Sequence, residues 1–304
     1  MTTSTTDPAV RQQGRIGAAA ARSWLLVPAD KPHRFADAEQ VGADALILDL
    51  EDGVAAPNKP QARRSARDWL DHGGHAWVRI NSVDETEHWR RDLTALDGAP
   101  GLLGIVLAKT ENASHVDVTA AHLPAGTPVI AMIESAAGLD HSRAIAADDA
   151  TARLAFGVGD YRRDTGIGAD PLALAHPRSV LTHHSRLAGI AAPIDGPTPE
   201  IDLARLRTAM AETAAMGHTG PLCLQPEQVP VINAELSPSQ QDLGWAERTV
   251  TELGHDGAHI RDGSDLPTLA RAKKLLHLGG LFGLTPTPDA CDHRGPAEKG
   301  SGRS

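Results

Sequence analysis

Ala45-Leu46-Ile47-Leu48-Asp49-Leu50-Glu51-Asp52-Gly53-Val54 is a run of mostly aliphatic residues that breaks off into carboxylates. A short apolar run of this kind predicts a buried strand over Ala45–Asp49. The Ala/Arg/Leu segment Lys59–Leu70 that follows carries a helical pattern, so the unit is strand, acidic loop, helix. The alternation continues in both directions. Further strands are predicted at Ser23–Val27, Ala76–Ile80, Gly104–Leu107, Pro128–Ile133, Leu154–Val158, Ala191–Ile194 and Pro221–Leu224. Helices are predicted at Pro32–Val41, Glu85–Leu96, Val116–His122, Leu139–Ala147, Pro177–Ala188 and Ile201–Ala215. Eight strands alternating with helices make an α/β chain that closes into a (β/α)8 TIM barrel with right-handed crossovers. The competing topology, an open doubly wound sheet, calls for a glycine-rich turn after the first strand, and Val27-Pro28-Ala29-Asp30 is not one.

The barrel is expected over residues 21–235, after a flexible N-terminus over 1–20. A C-terminal helical extension or lid is expected over 236–282. It starts with an amphipathic helix over Ser237–Leu253, whose Ser237-Pro238-Ser239 supplies an N-cap and a first-turn proline. A turn-rich stretch, His255–Asp265, and a helix around Thr268–Leu278 complete it. The Pro, Gly, Asp, Lys and Ser of residues 283–304 predict a disordered tail.

The 304 residues are 41% hydrophobic and 22% charged, as in an ordinary globular chain. With 29 basic against 39 acidic residues the net charge is −10, which argues against a nucleic-acid partner. No apolar run reaches the roughly 18 to 20 residues of a membrane span, and Met1–Arg22 lacks the apolar core of a signal peptide. Cys223 and Cys291, two in all, support neither a disulfide framework nor a cysteine zinc site. The expectation is a cytoplasmic protein that meets small molecules.

In a barrel the βα loops open at the C-terminal ends of the strands, and chemistry sits there. The predicted strands end in Asp49, Glu51 and Asp52; Arg79 and Asn81; Lys109 and Glu111; Glu134; Asp160; Asp195; and Gln225. Carboxylates gathered around an arginine and a lysine make a site, and they coexist only with a proton or a cation between them. Glu134 and Asp160 end adjacent strands. Two hard oxygen donors suit magnesium, which keeps several waters and leaves positions for a substrate. The alternative is that each carboxylate caps the helix after it. For Arg79 the alternative to a catalytic role is a salt bridge to Asp49 or Glu51. His183-His184 reads as solvated histidine on a helix.

Several of these stretches carry a resemblance. Arg22-Ser23-Trp24-Leu25-Leu26-Val27-Pro28, the Gly42–Val54 segment with Lys59 and Ala62-Arg63, Val78-Arg79-Ile80-Asn81, and Leu107-Ala108-Lys109-Thr110-Glu111 appear in family order. Met132-Ile133-Glu134, Gly157-Val158-Gly159-Asp160 and Gln228–Asn233 with Ser237-Pro238 follow. Together, over about residues 22–278, they resemble the HpcH/HpaI aldolase superfamily, which includes the citrate lyase β-subunit. The resemblance implies a magnesium-dependent carbon–carbon lyase that cleaves a malyl-, citramalyl- or citryl-type thioester, usually of coenzyme A. The products are an acyl thioester and a 2-oxo acid.

On that reading Glu134 and Asp160 are the metal ligands, Arg79 stabilises charge in the reaction, and Glu51 and Asp52 hold the metal's waters and the arginine in place, with a direct catalytic role as base as their alternative. Lys109 and Lys59 neutralise the acidic cluster or a substrate carboxylate, with a solvated lysine as the other reading of Lys59. Arg22, Lys31 and Arg34 form a phosphate patch for the coenzyme. Relatives take a proton-transfer aspartate from the C-terminal extension of a neighbouring subunit. Gly263-Ser264-Asp265-Leu266-Pro267 resembles that motif, so Asp265 is the candidate acid/base, with Asp262 second and a helix cap as the alternative. A homotrimer or homohexamer is implied. Two departures stand out: Gln225 replaces a usual histidine, and Tyr161-Arg162-Arg163 follows Asp160. The extra positive charge suggests a substrate with an additional carboxylate or a different thioester. The rival readings are a pyruvate-type aldolase that uses no coenzyme A and a non-catalytic paralogue that binds acyl thioesters.

Overall fold

A strand covered on both faces needs a side chain that tolerates burial at every position, and Ala45–Asp49 is buried at all five. The computed structural model describes residues 16–199 and 202–286 and joins eight parallel strands. They are β1 (Trp24–Pro28), β2 (Ala45–Asp49), β3 (Ala76–Ile80), β4 (Leu102–Leu107), β5 (Val129–Ile133), β6 (Thr151–Phe156), β7 (Ile194–Asp195) and β8 (Gly220–Cys223). Each pairs with the next, and β8 returns to β1 through Leu222 against Trp24 and Cys223 against Leu25. The expected (β/α)8 barrel is the fold.

The connecting helices are α1 (Phe35–Gln40), α2 (Lys59–Asp71), α3 (Thr86–Leu96), α4 (Ala113–Ala120), α5 (Ala136–Ala146), α6 (Val158–Thr165), α7 (Pro171–Ala188) and α8 (Leu203–Ala215). Then come α9 (Val229–Glu235), α10 (Gln240–Leu253) and α11 (Asp265–Leu281). Three differences from expectation have local causes. Val158 starts α6 instead of ending β6, because Gly157 caps a helix whose first turn holds Asp160 at the positive end of the dipole. β7 is two residues long and keeps only Ile194 of its predicted run, since Pro193 has no N–H to give the ladder. α7 begins at Pro171 and carries Pro177 inside it; the Asp170 side chain accepts the Leu172 N–H at 2.8 Å and caps the earlier start.

The barrel's interior follows the two-residue period of a strand. Trp24, Ile47, Trp77, Val106, Ile130, Met132, Ala155, Ile194 and Leu222 form one buried cluster to which all eight strands contribute. The same period, running from Ile47 to Asp49 and from Trp77 to Arg79, puts the next two inward-facing side chains at the C-terminal mouth. Strand register pairs Asp49 with Arg79 directly.

The N-terminal end of the barrel is closed by Arg153, which is fully buried. Its guanidinium donates to the carbonyls of Ala192 and Ala18 at 2.8 Å and to Thr219 Oγ1 at 2.9 Å. It also stacks 5.4 Å from the Trp24 ring, which meets Trp77 edge-on at 5.6 Å. Residues 16–20, expected to be flexible, instead carry a turn in which the Ala20 N–H donates to the Gly17 carbonyl at 2.9 Å, and Ala18 is a partner of Arg153. Residues 1–15 of that expected flexible stretch lie outside the described residues.

The chain divides into two compact units, Met1–Asn233 and Ala234–Ser304. In the second, α10 packs on α11, and Gly279 permits their close approach, since a Cβ there would stand 2.7 Å from Leu243 Cδ2. α10 starts at Gln240, not Ser237, because Ser239 is its N-cap and Ser239 and Asp242 cap one another's backbone N–H groups. Residues 283–286, read as the start of a tail, include a helix-closing turn: Gly283 is left-handed at φ 68° and the Leu284 N–H donates to the Gly279 carbonyl at 2.8 Å. The rest of the predicted tail, 287–304, lies outside the described residues. Among the described residues no helix is long and apolar enough to cross a membrane.

Arg153→Met keeps much of the volume but strands buried carbonyls. Urea denaturation is expected to show a loss of about 2–4 kcal/mol, the cost of leaving such groups unpaired; an unchanged midpoint would refute the closure role.

Candidate active site

The site begins with one saturated carboxylate. Asp49 Oδ1 accepts from Arg79 Nε at 2.7 Å and the Glu51 N–H at 2.9 Å. Its Oδ2 accepts from Arg79 Nη2 at 2.7 Å and the Gly53 N–H at 2.9 Å. Position 53 has to be glycine for this, because a Cβ would lie 2.2 Å from Asp49 Oδ2. Arg79 also meets Glu51 at 3.2 Å through Nη1. Burial alone would lower the Arg79 pKa, but Asp49, Glu51 and Glu134 together raise it, so it is a permanent cation at the barrel mouth.

Glu51 is buried and is shared between Arg79 and the Lys109 ammonium. Lys109 Nζ also lies 3.6 Å from Asp52, a half-exposed carboxylate. Burial works against the lysine's charge, yet Glu51, Asp52 and Glu134 push its pKa upward. Its backbone is left-handed at φ 48°, alone in this among the described non-glycine residues. That conformation aims the Lys109 N–H at Glu134 Oε1, 2.6 Å away. The Glu134 carboxyl is pushed up to about 8, first by burial and then by Glu51 and Asp160, against the Lys109 N–H and Arg79. Asp160 stands in the first turn of α6 and pairs with Arg163 at 2.9 Å. A cavity of about 600 Å³ opens here, lined by Lys109, Glu111, Glu134, Ser135, Asp160 and Arg163 among others. Gly157 allows Glu134 its place, since a Cβ at 157 would fall 2.5 Å from Oε2.

Below the mouth a buried relay fixes the loop that carries Glu51. Lys59 is buried, not solvated, and its ammonium donates to the Leu50 carbonyl at 2.8 Å, the Glu51 carbonyl at 3.0 Å and Asn81 Oδ1 at 2.5 Å. Asn81 donates from both its backbone and side-chain nitrogens to Asp92 Oδ2, and Arg63 donates to Asp92 Oδ1 at 2.6 Å. Sequence reasoning missed Asp92. The signal was there: it lies three residues after Trp89 and one before Leu93, on the buried face of α3.

The remaining expectations divide. Lys31 and Arg34 follow the C-terminal end of β1, on the side of the mouth. Arg22 does not join them. It precedes the N-terminal end of the same strand, and its guanidinium is held by Asp44 at 2.8 and 2.9 Å, so the expectation that it forms a phosphate patch with Lys31 and Arg34 is corrected. Asp265 opens α11 in the second unit, where Arg261 donates to it from the backbone N–H at 2.8 Å and from Nε and Nη2 at 3.1 Å. These bonds hold its carboxyl down to about 2. Asp262 binds the Ser264 hydroxyl at 2.6 Å. His184 is not merely solvated, lying 2.8 Å from Ser142 Oγ. Among the described residues no three His, Cys, Asp or Glu side chains converge on one point as a ready cation cage.

Comparison with known proteins fits this arrangement. The model of the HpcH/HpaI aldolase/citrate lyase family matches residues 22–226, and that of the HpcH/HpaI aldolase C-terminal domain matches 241–283. The chain belongs to the HpcH/HpaI aldolase/citrate lyase family. Among its relatives is a citrate lyase subunit beta-like protein of Mycobacterium tuberculosis, 34% identical over 276 residues, covering 86% of this chain and 97% of the relative. A (3S)-malyl-CoA thioesterase of Cereibacter sphaeroides is 31% identical over 245 residues, 78% of this chain and 85% of its own. The crystal structure of the Mycobacterium tuberculosis protein CitE with magnesium, acetoacetate and coenzyme A superimposes with a TM-score of 0.71 at 32% identity, covering 86% of this chain and 99% of that one.

Two outcomes are expected. Gly157→Ala drives a methyl group into Glu134 and lowers stability by about 1–3 kcal/mol in urea denaturation, as overpacking does. In carbon-detected NMR Asp265 titrates near 2. In Arg261→Ala its titration moves up part of the way toward the ordinary aspartate value of about 4, because the two guanidinium bonds favouring the charged form are gone while the backbone N–H of residue 261 still donates.

Proposed function

We propose that the chain is a magnesium-dependent lyase that cleaves a 3-hydroxyacyl-coenzyme A thioester of malyl, citramalyl or citryl type. The products are an acyl-coenzyme A and a 2-oxo acid. Membership of a family of carbon–carbon lyases supplies the reaction type. The observation that carries the reading is Glu134: a buried carboxyl that lines the same cavity as Asp160, where burial and the repulsion of Glu51 and Asp160 push its pKa up. A cation relieves that repulsion, and two carboxylate donors fit magnesium, which takes its other oxygens from water and substrate. Glu134 and Asp160 would hold it, and when bound it supplies Lewis-acid polarisation of substrate oxygens.

The chain's own residues do the rest. Breaking the bond beside a thioester leaves an enolate on the acyl fragment, and charge that develops is best met by donors already fixed in place. Arg79 is such a donor: Asp49 locks its fork, and its charge does not titrate. Glu51, Asp52 and Lys109 set the position of that fork and of the Lys109 N–H that orients Glu134. Lys109 also offers charge to a substrate carboxylate. Lys31 and Arg34 are assigned to the coenzyme's phosphates. Asp265, ionised in the grip of Arg261, takes the α-proton in condensation and returns it in cleavage. We place the enzyme in the cytoplasm as a homotrimer or homohexamer in which a neighbouring copy brings Asp265. Light scattering reads the copy number.

Purified protein with magnesium, offered malyl-, citramalyl- and citryl-coenzyme A, is expected to release a 2-oxo acid from at least one. Glu134→Gln keeps the shape but loses a charged donor, and kcat should fall by about a hundredfold or more, beyond what loss of an outer-sphere partner costs. Chelation with EDTA should do the same to the wild type. Turnover that survives both removes the metal from the reaction.

A further inference from the structure

The 600 Å³ cavity is strongly unbalanced: six carboxylates and two cations, Lys109 and Arg163, line it. Such a surface repels an anionic substrate unless specific positive groups meet it. Lys109, on the barrel side beside Glu51 and Asp52, is the cation assigned above to the carboxylate that the malyl, citramalyl and citryl substrates share. Arg163 differs. It stands in the last turn of α6, its side chain is 73% exposed, and its Nη2 meets Asp160 Oδ1 at 2.9 Å. A guanidinium carries five donors in a planar fork, and this contact engages one edge of it. Arg162, next in sequence, is not among the residues lining the cavity.

The 2-oxo acid half of the substrate carries one carboxylate beside the carbon that becomes its carbonyl, and on the reading above these oxygens go to the cation held by Glu134 and Asp160. A further carboxylate on the same fragment then needs a counter-charge within the cavity. The cation with an open fork beside Asp160 is Arg163. We infer that Arg163 is the specificity residue for a second carboxylate on the oxo-acid half, so that the released product is a dicarboxylic 2-oxo acid. This rests on the lyase reading and names its substrate class. The fork suits the task because a planar pair of N–H groups matches a carboxylate edge. Its exposed position leaves the fold indifferent to its replacement.

The test is calorimetric titration of magnesium, then of oxaloacetate and of pyruvate in its presence, into the wild type, Arg163→Ala and Arg163→Lys. The two acids differ by one carboxylate. The wild type should prefer oxaloacetate. Arg163→Ala should lose that preference by roughly tenfold to a hundredfold, the loss of one charge-assisted hydrogen bond. Arg163→Lys should recover part of it, keeping the charge without the fork. If magnesium is taken up normally but the wild type shows no preference, or Arg163→Ala keeps it, the inference falls and the lyase reading stands. If the wild type takes up no magnesium, both fall.

Discussion

The bidentate pair between Asp49 and Arg79 organises the barrel mouth. Both are inward-facing, Asp49 is buried and Arg79 nearly so, and strand register sets them opposite one another. Taking two charges out of water costs several kcal/mol per ion unless every donor and acceptor is used. Asp49 meets that condition with four hydrogen bonds, two from the arginine and two from the loop just after its own strand. The loop is therefore folded around the carboxylate, and Glu51 is carried to its place by the same bonds that hold Arg79. Structure and chemistry at this point share one set of interactions.

The two ends of the barrel handle buried charge in opposite ways. At the floor Arg153 is satisfied by carbonyls, a hydroxyl and an aromatic face. Desolvation with no carboxylate to offset it pulls its pKa down to about 9; an arginine's intrinsic basicity still leaves it charged near neutrality. At the mouth carboxylates outnumber cations, and the imbalance is left facing a cavity. A floor tied by hydrogen bonds gives rigidity. An unneutralised mouth gives a place where a cationic group or ion is bound with gain, since each new positive charge relieves existing repulsion.

Much of this was legible in the order of residues because barrel strands advertise themselves. Runs such as Ala45–Asp49 are apolar throughout, and the polar residue that ends each run lies on the catalytic face by construction. That is why Arg79, Lys109 and Glu134, far apart in sequence, were read as neighbours. Where chain proximity stood in for spatial proximity the reading failed. Arg22 and Lys31 are nine positions apart, yet β1 runs between them, so they belong to opposite ends of the barrel. Asp160 was read as the end of a strand and belongs to a helix, because Gly157 marks the change of element. Asp92 escaped because a buried aspartate on a helix is recognisable only once Asn81 and Arg63 are known to converge on it.

Lys109 carries a left-handed backbone, a conformation for which glycine or asparagine is the relaxed choice and any longer side chain is strained by of order 1–3 kcal/mol. Random replacement therefore drains away from lysine here, toward residues that ease the chain. The strained turn is held by what the two ends of the residue reach, the N–H on Glu134 and the ammonium on Glu51, so easing the torsion would loosen both carboxylates together.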